Sequence, residues 1–146
     1  MSLRQRLADL YARLPRINCQ GKCQEACGPI ACSQGEAKLM ERRAGRPLTF
    51  SSETGRCTYL NDAGRCDVYR ERPFVCRIFG VAPKLPCVWG CQPERVLSQD
   101  EAFELFRATL DIGGGLYGPY PDNWTDFEKR HRFEMERTLE FGPYLS

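Results

Sequence analysis

CQGKCQEACGPIAC, residues 19–32, places Cys19, Cys23, Cys27 and Cys32 within one short stretch of a 146-residue chain that holds nine cysteines. How these thiols are used decides the fold: a disulfide framework, a metal centre and a set of small buried side chains each organise such a chain differently. A chain of this length buries roughly two thirds of its unfolded surface, so one domain spanning 1–146 forms a core without staples. Nine cysteines exceed what packing needs, and an odd number leaves one thiol over in any disulfide scheme. In MSLRQRLADLYARLP, Arg4, Arg6, Asp9 and Arg13 interrupt every apolar run, so the segment does not read as a secretory signal. No stretch is long enough to cross a membrane. A reducing cytoplasm is therefore the expected compartment, and there clustered thiols bind metal more readily than they persist as structural disulfides.

Lys and Arg number 21 against 19 Asp and Glu, for a net charge of +2, with the two signs interspersed. That balance gives no general attraction to nucleic acid. The local excess of Arg4, Arg6, Arg13 and Arg16 over Asp9 reads as the solvated side of a helix.

Outward from the cysteines, Leu3, Leu7, Leu10 and Leu14 predict a short docking helix stopped by Pro15. Ser33 with Glu36 predicts a capping box and a helix ending near Gly45, with Leu39 and Met40 facing inward. RCTYLNDAGRCDVY, residues 56–69, reads as a β-hairpin whose tip is Asn61 to Gly64. Pro73 suits the first turn of a short helix carrying Cys76 and Arg77. Residues 80–93 hold three prolines, two glycines and two cysteines; they predict an irregular loop held by something other than backbone ladders. Ser98 and Glu101 open a further helix with a core face of Ala102, Phe103, Phe106 and Leu110, ended by Gly113, Gly114 and Gly115. A last helix is expected from about Thr125 to Phe141, closed by Gly142 and Pro143. The fold class that follows is α+β: a small, mainly helical domain with one short hairpin and irregular loops organised by metal.

None of the cysteine spacings is C-x-x-C, the two-residue knuckle of many zinc sites. The C-x-x-x-C spacings are compatible with zinc or with iron-sulfur ligation. Thiolate is the ligand form, and several anionic sulfurs gather only around a cation. Arg56, Arg65 and Arg77 stand beside cysteines in sequence and would supply positive charge and hydrogen bonds around such a centre, or simply solvate the hairpin and its neighbour.

GRCDVYRERPFVCRIFG, with Cys57-Thr-Tyr-Leu upstream, resembles the YkgJ-type cysteine-cluster family of zinc- or iron-chelating proteins. The residues that carry the likeness are Cys66, Tyr69, Arg72, Pro73, Cys76, Arg77 and Phe79. The N-terminal box departs from the family's C-x-x-C-x-x-C-C signature, since CGPI replaces the double cysteine. The likeness spans about residues 17–97, and the helical part from 98 to 146 lies outside it. What the resemblance implies is metal binding through Cys19, Cys23, Cys27, Cys57, Cys66, Cys76, Cys87 and Cys91, with Arg77 beside the cofactor. Cys32 is set aside as a small buried residue at a helix start. Eight thiols suit two four-sulfur centres, or one iron-sulfur cluster, of the four-iron type, with a separate zinc. The cysteine-only donor set and the missing knuckles favour iron-sulfur.

His131 is the only histidine, which leaves little material for Cys-His catalysis or a His-rich metal site. GGGLYG follows a helix instead of a strand, so it reads as a turn and not as a phosphate cradle. Tyr117, Tyr120 and Trp124 read as packing around that turn. Three functions follow as expectations: an iron-sulfur protein serving electron transfer or another enzyme, with a redox or protein partner; a zinc-stabilised interaction module; or an enzyme whose cluster keeps an open coordination position.

Overall fold

The computed structural model describes residues 1–18, 32–51, 53, 56–78, 80–82, 87 and 90–117. Helix α1, Leu3–Tyr11, starts where Ser2 Oγ accepts from Gln5 N at 3.1 Å, satisfying one of the helix's orphan donors. Its Leu7 and Leu10 are buried, while Leu3 and Leu14 of the same stripe are half-buried. Arg4 on its outer side reaches Glu71 at 2.9 Å.

Helix α2, Gln34–Ala44, is capped at both ends as its sequence predicts. Ser33 Oγ accepts from Glu36 N, the Glu36 carboxylate accepts from Ser33 N, and Gly45 closes the helix at φ 71°. Leu39 and Met40 face the core. Helix α3, Phe74–Arg77, is a single turn following Pro73, and it carries Cys76 and Arg77. Helix α4, Gln99–Ile112, opens on the reciprocal Ser98–Glu101 box. Its buried face is Ala102, Leu105, Phe106 and Thr109, rotated from the expected stripe, with Phe103 and Leu110 only partly covered.

The cysteine-bearing middle is held by isolated contacts. In place of paired hairpin strands, single antiparallel bridges join Leu60 to Cys66 and Phe50 to Cys57. The physical reason lies in Asn61. Its Oδ1 accepts from Ala63 N and Arg65 N at 2.9 and 3.1 Å, and its Nδ2 donates to Asp67 Oδ1 at 3.0 Å. A side chain that satisfies backbone donors in this way competes with a ladder. The described part of 80–93 has backbone partners of its own. Ile17 bridges Pro93, Glu94 N donates to Arg16 O at 2.8 Å, and Leu97 N donates to Val81 O at 3.0 Å.

One core joins these pieces. α1 and α3 both lie against α4, and the Phe74 and Phe106 rings meet at 5.9 Å between centroids. Met40, Tyr59, Ile78 and Leu97 fill the space around them. After α4 the chain returns to α2: the carbonyls of Gly113 and Gly115 accept from Gly35 N and Gln34 N at 2.8 and 2.9 Å. Two of the N–H groups that a helix start leaves without partners are satisfied there. No described helix is long and apolar enough to cross a membrane. The helix expected over 125–141, with Trp124 and His131, lies outside the described residues.

Candidate thiol site

Three of the eight expected ligands, Cys19, Cys23 and Cys27, lie outside the described residues, as does Phe79. The other five lie in three described stretches: Cys57, Cys66 and Cys76 in 56–78, Cys87 by itself, and Cys91 in 90–117. Cys57 is held by its bridge to Phe50 and Cys66 by its bridge to Leu60. Cys76 sits in the single turn of α3. All three are half-buried and pack against the hydrophobic core. Cys87 lies beside Gly80, where an added Cβ would come within 3.4 Å of the Cys87 Cβ and overlap the Ile17 side chain. Gly80 also has φ 85°, so both space and backbone require glycine there. Cys91 is half-buried, two residues before the Pro93 bridge.

Cys32, set aside on sequence grounds, is 1% exposed and part of the core itself. Its carbonyl accepts from Tyr117 N at 2.8 Å. Glu36, Cys76, Glu41 and Cys57 add, in that order, to the effect of burial on its thiol. Burial, with Glu36 next in weight, holds the Cys32 thiol well above the ordinary range. Burial likewise raises Cys66, partly offset by a hydrogen bond with the Val68 backbone.

Arg77 is engaged locally. Its Nε donates to Arg72 O at 2.7 Å and its Nη2 to Arg70 O at 3.1 Å, which fastens the 3-10 turn Tyr69–Glu71 to α3. The guanidinium lies 3.9 Å over the Tyr11 ring, and burial lowers its pKa. Tyr11 Oη donates to Glu36 Oε2 at 2.5 Å; burial first, then the carboxylate, pushes the phenol far above its usual value. Glu36 Oε2 also accepts from Phe74 N at 2.6 Å. Arg56 Nη2 donates to the carbonyls of Leu60 and Asn61. Both arginines therefore make backbone contacts that shape the cysteine-bearing turns.

The donor set suits a thiophilic ion. No disulfide joins any two of the six described cysteines, and sulfur-only coordination selects zinc, copper(I) or iron-sulfur over hard cations. The geometry is incomplete in one respect: as placed, no three His, Cys, Asp or Glu side chains among the described residues stand close enough to hold a metal ion. No family model, curated protein or solved structure matches the chain.

Cys32 is the small buried residue at a helix start that the sequence suggests, but sequence reasoning missed the Tyr11–Glu36–Arg77 group. Glu36 carried a visible capping signal, but nothing in its spacing announces that its second oxygen binds α1 and α3. Tyr11, one position after the last buried leucine of α1, was the available hint.

Proposed function

We propose that this chain is a cytoplasmic cysteine-cluster metal-binding protein of the YkgJ type, holding an iron-sulfur centre and serving electron transfer or an accessory role to another enzyme. The observation that carries the reading is that Cys57, Cys66 and Cys76, all half-buried, pack against a core that already contains Cys32. Thiols packed together at random positions in sequence cost chain entropy that ordinary apolar residues would serve equally well to offset. A cation that binds several thiolates gives the arrangement a purpose. Cys19, Cys23, Cys27, Cys87 and Cys91 complete the proposed ligand set, and Arg77 orders the turns that present Cys66 and Cys76. When bound, such a centre supplies a one-electron couple whose potential follows burial and hydrogen bonds to sulfur.

A zinc that substitutes for a core has less support, because the described helices already share a continuous apolar core. Anaerobic purification tests the proposal. The expected product is brown, contains iron and acid-labile sulfide, and bleaches in air. Colourless protein with stoichiometric zinc would replace iron-sulfur by zinc, and protein with neither metal would overturn the reading.

A further inference from the structure

We infer that the turn Tyr69 to Arg72, with Arg4 of α1 beside it, is a docking surface for an acidic patch on a partner protein. The inference stands on the geometry of the turn itself. The metal-binding reading supplies only a reason for its place in the chain, between Cys66 and Cys76.

The backbone of the turn is held while its side chains face outward. Val68 and Pro73 on either side of it are buried, whereas Tyr69 and Arg70 are exposed. Tyr69 N donates to Cys66 O at 3.3 Å and Glu71 N to Val68 O at 2.8 Å. The half-buried Arg77 binds the carbonyls of both Arg70 and Arg72. The Arg72 guanidinium lies 4.0 Å over the Tyr69 ring and its Nη1 donates to Tyr69 O at 3.0 Å, so ring and guanidinium hold each other in place. A surface ordered before its partner arrives loses less freedom on binding than a loose loop does.

Charge selects the occupant. Glu71 is the one carboxylate of the turn, and Arg4 engages it at 2.9 Å; the Glu71 side chain is 11% exposed and that of Arg4 59%, so the pair turns its positive member outward. Asp67, just before the turn, is bound by Arg46 and Asn61. Arg4, Arg70 and Arg72 thus surround Tyr69, one of three large apolar side chains exposed among the described residues. Tyr and Arg are the side chains that most often anchor protein interfaces, the ring through its area and the guanidinium through paired bonds to carboxylate. Nucleic acid fits less well, because a phosphate backbone is followed by a basic stripe. Here three arginines surround a single turn, in a chain whose net charge is only +2.

The test titrates the full-length chain into a fluorescein-labelled peptide rich in Glu, Asp and Leu, read by fluorescence anisotropy in about 0.1 M salt, where exposed charges more than about 10 Å apart are largely screened. Arg70→Glu should weaken binding by about tenfold or more, because a like charge then faces the peptide. Tyr69→Ala should weaken it by about threefold or more with no change of charge. Arg107→Glu makes the same charge change at an exposed position of α4, and should alter binding by less than about twofold. Metal content should be the same in the parent chain and all three variants, which separates this surface from the metal-binding reading. Should a variant fail to fold, amide resonances of the unsubstituted chain answer the question, and the peptide should shift those of residues 69–72. A parent chain that does not bind the peptide, equal weakening by Arg70→Glu and Arg107→Glu, or shifts confined to other residues overturns the inference. So does tighter binding of a single-stranded oligonucleotide, or of phosphatidylserine vesicles, that Arg70→Glu abolishes.

Discussion

Glu36 begins as the third residue of a capping box and ends as the point where three helices meet. One oxygen holds Ser33 N, and the other accepts from Tyr11 Oη and Phe74 N, so α1, α2 and α3 share one carboxylate that is 1% exposed. Glu36→Gln keeps the shape but turns an acceptor into a donor facing donors. Each buried group left unsatisfied costs about 1–3 kcal/mol, so the variant should lose about 2–5 kcal/mol in urea denaturation. Tyr11→Phe removes one donor and leaves the carboxylate its other two bonds; its loss should be about 1–2 kcal/mol. Because the two residues share a hydrogen bond, the double variant should lose less than the sum. Strict additivity would mean that the Tyr11–Glu36 bond contributes nothing in solution.

At the scale of elements, the contact between the end of α4 and the start of α2 is the most exacting. A Cβ at Gly113 would overlap Ser33 Oγ and Cβ and lie 3.1 Å from Thr109 O. Gly113→Ala must displace the Ser33 cap, which costs about 0.5–2 kcal/mol, in addition to about 1–3 kcal/mol of overpacking. Gly45 has the opposite character: φ is 71° but nothing lies within 4 Å of a Cβ there, so Gly45→Ala should cost only about 1 kcal/mol. Thermal unfolding of the two variants should rank them in that order, and equal melting temperatures would remove the close approach as a constraint. These elements also show what the sequence could tell. Both Ser-x-x-Glu boxes and the Gly45 stop are local chemistry within four residues, and they were readable. The buried face of α4 was not, because Thr109 enters the core by donating its hydroxyl to Leu105 O at 2.8 Å, satisfying a polar group within its own helix. A hydropathy stripe passes over such a residue. Of the expected hairpin the structure has the single antiparallel bridge Leu60–Cys66, with Asn61 N donating to Arg65 O and Asp67 N to Tyr59 O, while the Asn61 side chain accepts from Ala63 N and Arg65 N within the turn. Of the candidate site, the burial of Cys32 at a helix start was legible from its place before the Ser33 cap; the packing of Cys57, Cys66 and Cys76 against the same core was not, because it arises only through tertiary contacts.

At the scale of the whole molecule, the core and the candidate centre are separable. Leu10, Met40, Phe74 and Phe106 belong to one buried cluster in which Cys32 is the single thiol among the described residues, whereas Cys57, Cys66 and Cys76 are half-buried and pack against it. α1, α2 and α4 each carry their own N-terminal cap. If the metal organises the cysteine-bearing segments and the apolar core organises the helices, stripping the metal should affect the two differently. The metal-free chain should retain most of its far-UV helical signal, about four-fifths or more, since helical stability in a folded chain comes chiefly from the packed apolar face. Its global stability should fall, because an ion at a hundred times its dissociation constant stabilises the native state by about 2.7 kcal/mol. Limited proteolysis should locate the loss between α2 and α4, with cleavage there accelerated on metal removal while α1 and α4 stay resistant. A chain that loses its helical signal together with its metal would show the opposite relation, in which the centre stands in for missing core and the zinc-stabilised module becomes the better account.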